Sequence, residues 1–192
     1  MNNYGKNRRI LFVFFLAGLI AGSYGKAAAQ SSPNAPLYRV NIAKPKNCEE
    51  LDFLKLLSAE VIYHVDGDTI RVKISNPPAG LKSIETIRLL GVDTPETVHP
   101  QKEAERFGEE ASNFTKEQLL GKTVLLAFDW DLRDRYGRLL AYVYTLDHRC
   151  HNAELIRLGY GHAYTKYPFQ FMEEFRGYEK EARESRRGLW GL

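Results

Sequence analysis

Five short segments with the residue pattern of β-strands lie between residues 61 and 144, and this succession is compatible with few folds. The clearest of them is residues 69–74, where three branched apolar residues alternate with basic ones, as in a strand with one buried face. The predicted strands are residues 61–65, 69–74, 85–92, 124–129 and 139–144. Short strands separated by turns favour a small barrel, and residues 76–80, with two prolines and a glycine, mark such a turn.

Three further segments have helical periodicity. The predicted helices are residues 104–119, 152–158 and 171–182. Gly121 and Gly159 follow the first two, as glycines do at helix ends, and we expect Asn152 to cap the second. The pattern of residues 49–57 is ambiguous between a short helix and a loop. Strands interspersed with helices place the chain in the α+β class.

The first 29 residues have the three parts of a secretory signal. A basic start is followed by the apolar run ILFVFFLAGLIAG and by small residues that end in Ala29. We expect cleavage after Ala29 and export to the periplasm or the medium, whereas a retained segment would anchor the protein in a membrane. The predicted organisation is a signal peptide at 1–29, a linker or extension at 30–57 and one domain at 58–192.

The charge of the exported part excludes a globally basic nucleic-acid-coating protein. The whole chain has 27 Lys and Arg against 24 Asp and Glu. The predicted signal holds four of the basic residues and no acidic one, which leaves 23 basic against 24 acidic residues, a formal charge of −1. Affinity for a polyanion must therefore come from a local cluster of cations.

Export makes a disulfide chemically accessible, and the chain has two cysteines, Cys48 and Cys150. A bridge between them would close a long loop and stabilise the fold by roughly 4–5 kcal/mol in the chain-entropy model. Two free thiols, with Cys150 as a small core residue, is the alternative. The sequence leaves both open.

Two charged clusters contain candidate catalytic groups. Asp66-Gly67-Asp68-Thr69 places two carboxylates between the first two predicted strands, although the pattern alone is typical of a hairpin turn. It is not an EF-hand, because Arg71 and Pro77 stand where that loop needs glycine and glutamate.

The second cluster runs from Arg88 to Glu96. Arg88 lies in a predicted strand among apolar neighbours, where a cation needs a partner. Pro95 restrains Thr94 to an extended conformation and so fixes its carbonyl and the carboxylates of Asp93 and Glu96 relative to the strand end. An ordinary capped turn with a structural ion pair is the alternative.

A third cluster, DRYGR at residues 134–138, alone is typical of a solvated loop. In the order VDGDT, IRLLGVDTPET, HP, DRYGR and LAYVY, however, the chain closely resembles the staphylococcal nuclease (thermonuclease) family over residues 59–190. The resemblance implies a five-stranded OB-type β-barrel with three helices. It also implies calcium-dependent hydrolysis of phosphodiester bonds in DNA and RNA to products that end in 3′-phosphate.

The resemblance also implies roles for individual residues. It makes the carboxylates of Asp68 and Asp93 and the carbonyl of Thr94 ligands of calcium. It makes Arg88 and Arg138 phosphate clamps, as suits planar guanidinium groups that hold two oxygens at once.

The remaining implied roles surround these groups. Glu96 would activate or orient the attacking water, and Asp66 would be a supporting acid. Tyr136 and Tyr164 would line the nucleotide pocket. The basic loop after the DTPET segment is diluted here and keeps Lys102 as its only full positive charge. The connection at residues 76–85 is longer than in the family's type member.

Other conspicuous side chains receive plainer interpretations. Trp130 and Trp190 are expected to pack, and His99 and His162 to be structural or surface groups. DHRCH at residues 147–151 is expected to be a turn rather than a zinc site, since it lacks a second ligand pair.

The leading hypothesis is an exported, calcium-dependent nuclease that accepts DNA and RNA. Its groups grip phosphate, which carries no base information, and tyrosines stack on unpaired bases, so we expect low sequence specificity and a preference for single strands. With two carboxylates and one carbonyl, calcium should bind weakly, with a Kd on the order of 10⁻⁴–10⁻³ M. A noncatalytic OB-fold module that binds nucleic acid or protein is the alternative. No feature of the sequence indicates an obligate protein partner.

Overall fold

A computed structural model describes residues 47–96 and 107–191 of the chain. The strands are β1 (Leu57–His64), β2 (Thr69–Lys73), β3 (Ile84–Leu89), β4 (Val92–Asp93), β5 (Thr123–Ala127), β6 (Leu139–Tyr144) and β7 (His162–Ala163). The helices are α1 (Gly108–Leu119), α2 (His151–Arg157) and α3 (Met172–Glu184), with single 3₁₀ turns at Phe53–Lys55 and Gly188–Trp190. Strands β1-β2-β3-β6-β5 form a closed barrel in that order, and β4 pairs with β7 outside it. The prediction of a five-stranded OB-type barrel with three helices is confirmed.

The barrel interior is filled by the alternating strand residues. In β2, Ile70 and Val72 are buried and Arg71 and Lys73 are exposed, as the alternation predicts. β6 is buried along most of its length, because α2 packs against it. The largest fully buried side chains are Tyr142, Tyr144, Phe128, Phe175, Ile70, Ile74, Ile87, Leu89, Leu119, Leu126, Leu139 and Leu155.

The predicted third strand, residues 85–92, is interrupted in the structure. Gly91 lies between β3 and β4 with a φ of 76°. A Cβ at this position would lie 2.6 Å from the ring of Phe169, so both the backbone and the packing require glycine. The turn directs β4 out of the barrel, where Val92 pairs with Ala163 of β7. The prediction of one continuous strand is therefore wrong. The sequence pattern does not indicate the break, because apolar residues lie on both sides of Gly91.

Asn152 does not cap α2, contrary to the prediction. Helix α2 begins one residue earlier, and Asn152 is completely buried. Its Oδ1 accepts the Val143 N–H at 2.9 Å, and its Nδ2 donates to the carbonyls of Leu90 at 2.9 Å and Ala141 at 3.1 Å. The side chain thus ties α2 to β6 and to the joint between β3 and β4. The predicted helix ends at Gly121 and Gly159 are confirmed, with φ values of 73° and 77°.

The described end of the N-terminal extension, from residue 47, packs against the domain. The Cys48 N–H donates to Glu174 Oε2 at 3.0 Å, and Tyr144 Oη donates to the Cys48 carbonyl at 2.6 Å. Arg157 Nη1 lies 2.7 Å from Glu49 Oε1. The predicted signal peptide and its cleavage site lie outside the described residues.

Cys48 and Cys150 are both completely buried free thiols. A hydrogen bond with the Cys150 side chain, and then burial, raises the pKa of the Cys48 thiol. The two side chains therefore lie together, as a bridge requires, and the bridge itself stays a prediction.

Within residues 47–96 and 107–191, no helix is both long enough and apolar enough to span a membrane.

His151 connects α2 to α1 in the interior. Its Nε2 lies 3.0 Å from Thr115 Oγ1, and the Thr115 hydroxyl donates to the Gly67 carbonyl at 2.6 Å. Because that hydroxyl proton is engaged, the Thr115 oxygen must accept a hydrogen bond from His151 Nε2–H, which fixes the tautomer. Burial, followed by the charges of Arg149 and Lys122, lowers the pKa of His151 to about 3.

This buried neutral imidazole predicts a specific acid sensitivity. Below pH 6.5 the unfolded chain gains a proton at residue 151 that the folded protein binds only near pH 3. The free energy of unfolding therefore decreases as the pH is lowered through this window, by up to about 1.4 kcal/mol per pH unit. His151→Gln cannot titrate and keeps an amide for Thr115. We expect urea denaturation to show wild type losing about 3 kcal/mol relative to His151→Gln between pH 7 and pH 4. A difference that stays constant over this range would contradict the prediction.

Candidate active site

The acidic turn between β1 and β2 is held together by its own hydrogen bonds. Asp66 Oδ1 accepts the Asp68 N–H at 3.1 Å, and Thr69 Oγ1 donates to Asp68 Oδ1 at 3.0 Å. Burial, and then the neighbouring charge of Asp68, raises the pKa of Asp66 to about 6. The turn therefore concentrates negative charge at a buried position, and Asp68 itself is only 6% exposed.

Arg88 of β3 bridges the two carboxylates that the sequence singles out. Its Nη2 lies 2.7 Å from Asp93 Oδ1 and 3.1 Å from Asp68 Oδ2. Its Nη1 donates to the carbonyls of Val92 at 2.6 Å and Leu89 at 3.1 Å. A cation with a 13% exposed side chain is thus paired and hydrogen-bonded, as burial of a charge requires.

Thr94, the residue that follows β4, packs against the acidic turn. The N–H of Thr94 donates to Asp68 Oδ2 at 3.1 Å, and its hydroxyl donates to the same oxygen at 3.3 Å. A Cβ added to Gly67 would lie 2.6 Å from Thr94 Oγ1, so glycine permits this close approach. Glu96 is exposed and is the last described residue of this segment.

Arg138 is oriented by a carboxylate on its own loop. Asp134 Oδ2 accepts the Arg138 Nε–H at 2.7 Å, and Asp134 Oδ1 accepts the backbone N–H groups of Tyr136 and Arg138 at 2.9 Å each. Arg138 Nη1 lies 3.5 Å from Thr69 Oγ1. Because Thr69 is the register partner of Arg88 in β2 and β3, the two arginines flank one position of the barrel.

Both arginines line one open cavity of about 490 Å³. The predicted site residues in its wall are Arg88, Asp93, Tyr136, Arg138 and Tyr164. Asp68 and Thr94 adjoin it through Arg88 and Asp93, whereas Lys102 and His99 lie outside the described residues. The structure therefore brings the first five residues together from two strands and two loops.

Other residues of the wall had no predicted role in binding or catalysis. They include Trp130, Arg133, Arg135, Lys166 and Tyr167. Trp130, which was expected to pack, is 43% exposed and lines the cavity. Arg135 lies over the Tyr136 ring, 4.7 Å from its centroid. Proximity to DRYGR along the chain is the signal that could have indicated Arg133 and Trp130.

The structure also describes most of the side chains that received plainer interpretations. Arg183 covers the Trp190 ring at 4.1 Å, and His162 is exposed beside Glu179. The DHRCH segment forms a turn that leads into α2. Among the residues that the structure describes, no group of three or more His, Cys, Asp or Glu side chains is placed to hold a metal ion.

The donor set at the acidic turn nevertheless suits a hard cation. Asp68 and Asp93 both lie within 3.1 Å of one guanidinium nitrogen, so their carboxylates face a common point. All of the candidate donors are oxygens, as Ca²⁺ prefers, and two side-chain carboxylates make a sparse set that water would complete. Together with Arg88 the two acids carry a formal charge of −1.

The fold and the site define an OB-type barrel protein whose cavity joins two anchored arginines to a pair of carboxylates. The family model for staphylococcal nuclease homologues matches residues 86–191. The chain belongs to this family.

Its relatives include proteins named as nucleases. It is 36% identical over 132 residues to a thermonuclease of Staphylococcus hyicus, which covers 68% of this chain and 74% of that protein. It is 37% identical over 129 residues to a prophage-derived endonuclease of Bacillus subtilis, at 66% and 41% coverage. An uncharacterized protein of Methanocaldococcus jannaschii is 34% identical over 153 residues, at 68% and 70% coverage.

The contact between Gly67 and Thr94 predicts a stability loss. Gly67→Ala forces a Cβ to within 2.6–2.9 Å of the Thr94 side chain, and such overpacking costs about 1–3 kcal/mol. We expect urea denaturation to show this loss, and Thr94→Ala to recover part of it in the double variant. The control is Gly177→Ala in α3, where a Cβ has no atom within 4 Å and removal of a helical glycine should stabilise. Equal effects of the two alanines would refute the packing argument.

Proposed function

We propose that this protein is a calcium-dependent nuclease that hydrolyses phosphodiester bonds of DNA and RNA and leaves products that end in 3′-phosphate. The observation that carries the proposal is the convergence of Arg88 and Arg138 on one cavity, each held by carboxylates. The relatives named thermonuclease and endonuclease support the same reaction class.

The two arginines would bind the scissile phosphate. Arg138 is fixed at Nε by Asp134, which leaves its two terminal nitrogens for phosphate oxygens. The terminal nitrogens of Arg88 are occupied by Asp68, Asp93 and backbone carbonyls. Arg88 can therefore turn toward a phosphate only when the two acids have another positive partner. This competition makes anion binding depend on the charge state of the acidic turn.

A calcium ion would be a suitable positive partner for the two acids, because the donors around it would all be oxygens. Asp68, Asp93 and the Thr94 carbonyl would hold it, and bound Ca²⁺ would neutralise charge that develops on the phosphoryl oxygens. Glu96, three residues beyond Asp93, would accept a proton from the attacking water or orient that water. A bond from the water oxygen to phosphorus forms, the bond from phosphorus to the 5′-oxygen breaks, and the 5′-hydroxyl leaves with a proton.

The aromatic side chains that line the cavity favour unpaired nucleotides. Tyr136 and Tyr167 are 68% and 60% exposed, and Trp130 and Tyr164 share the cavity with them. Exposed rings stack on any accessible base, and phosphate contacts carry no sequence information. We therefore infer a preference for single-stranded substrate and low sequence specificity.

Export to the periplasm or the medium is part of this proposal. It is supported by the basic and apolar segments that precede Ala29. A calcium site as weak as the one proposed here is also typical of extracellular proteins.

Metal dependence is the first test. Plasmid DNA and total RNA should be degraded with calcium, left intact with EDTA and left largely intact with magnesium alone, because Mg²⁺ demands a near-ideal octahedron whereas Ca²⁺ tolerates an irregular oxygen set that water completes. Calorimetry should give a calcium Kd on the order of 10⁻⁴–10⁻³ M. Degradation that EDTA does not change would remove the metal mechanism, and no degradation under any condition would favour a noncatalytic binding module.

The arginine roles are tested by substitutions that keep the charge. Arg88→Lys and Arg138→Lys should each lower kcat by about 10²–10³, because an ammonium group cannot make two parallel hydrogen bonds to phosphate. Circular dichroism should show both variants folded. Arg149→Lys, in an exposed ion pair with Asp147, is the matched control and should keep wild-type turnover. Near-normal turnover in either site variant would show that the clamp assignment is wrong.

A further inference from the structure

We propose that Arg133 and Glu85 are positioning residues that set the spacing between Arg88 and Arg138. The proposal rests on the proposed nuclease function. It assigns a role to the long connection between β2 and β3 and to the residue that precedes the DRYGR segment. We call residues 133–138 the arginine loop.

Arg133 forms a two-pronged ion pair with Glu85. Its Nη2 lies 2.8 Å from Glu85 Oε1, and its Nη1 lies 3.1 Å from Glu85 Oε2. Glu85 is 4% exposed. Burial raises the pKa of Glu85, but the bonds from Arg133 and from the Lys82 N–H outweigh burial and lower it overall. Glu85 is therefore ionised, and the pair is fixed in geometry as well as in charge.

The same guanidinium reaches two backbone carbonyls. Nη1 donates to the Gly137 carbonyl at 2.8 Å, and Nη2 donates to the Gly80 carbonyl at 3.3 Å. Gly137 immediately precedes Arg138, and Gly80 lies in the connection between β2 and β3. One side chain thus joins that connection, strand β3 and the arginine loop.

The arginine loop also has internal hydrogen bonds. Asp134 N–H donates to the Arg138 carbonyl, and Gly137 N–H donates to the Asp134 carbonyl, both at 3.0 Å. Together with the Arg133 bond to the Gly137 carbonyl, these bonds give the loop its shape, and its place relative to β3 depends on the Arg133–Glu85 pair and on the pairing of β6 with β3.

Glu85 and Arg88 belong to the same strand, three residues apart. A rigid link from Glu85 to the arginine loop therefore holds one phosphate clamp at a defined distance from the other. Two clamps that grip one transition state must be placed within a fraction of an ångström, and a misplacement of about 1 Å can cost 10²-fold in rate. Arg133 thus acts through Arg138 and needs no substrate contact of its own.

The test is a double-mutant cycle on kcat in the full-length protein. Arg133→Ala alone should lower kcat about 10- to 100-fold and change KM little, since the ordering of Arg138 counts most in the transition state. In an Arg138→Ala background the same substitution should lower kcat by less than twofold. A full additional loss in that background would show that Arg133 acts independently of Arg138 and would overturn the proposal. Unchanged kcat in the single variant would also overturn it.

Two further variants separate positioning from folding. Glu85→Gln keeps the shape of the Arg133 partner and removes its charge. Its effect on kcat should likewise disappear in the Arg138→Ala background. If Arg133→Ala does not fold, Glu85→Gln replaces it in the double-mutant cycle. Arg157→Ala breaks an ion pair with the more exposed Glu49, away from the cavity. It should lower stability in urea and leave kcat unchanged, so a kcat loss equal to that of Arg133→Ala would point to a general structural effect.

Hydrogen exchange gives a readout that is independent of turnover. In Arg133→Ala the amides of Gly137 and Arg138 should exchange faster, while the Val143 amide, bonded to Asn152, should not change. Wild-type exchange at both loop amides would overturn the positioning role. If the wild-type protein degrades no nucleic acid, the proposed function fails, and this measurement still decides whether the pair orders the loop.

Discussion

The burial of one positive charge, that of Arg88, organises the site. A guanidinium inside a barrel wall is tolerated only with partners on every nitrogen that it exposes to the interior. The acidic turn, the exit from β4 and the carbonyls beside Gly91 supply those partners. The elements that hold Arg88 are therefore the elements that hold the carboxylates, and the fold cannot place one without the other.

The supporting structure consists mostly of joints between elements. Gly91 breaks the third strand and sends β4 outward, and Asn152 donates to the Leu90 carbonyl at that break. Thr115 and His151 hold the Gly67 carbonyl between the two acids of the turn. Each contact crosses from one element to another, so each fixes an angle or a distance that the elements alone leave free.

Local patterns predicted much of this molecule correctly. The strand in residues 139–144, the glycine helix ends and the short segments of a barrel depend on periodicity and backbone preference, which neighbouring residues express. The errors lie where long-range contacts decide. Asn152 is a residue type that often caps helices, but here it is buried and its amide bonds backbone groups of β6 and of the β3–β4 joint. Trp130 is apolar enough to pack, yet it is 43% exposed and lines the cavity.

By itself the sequence determined the class of fold, the acids and arginines worth considering and, through their order, the family. It could do so because alternation, turn residues and motif order are properties of a linear chain. Only the tertiary structure decided that Arg88 bridges Asp68 and Asp93, that Arg138 shares its cavity and that Arg133 ties the arginine loop to β3. Charge pairing depends on distances of a few ångströms, and closure of the barrel sets those distances.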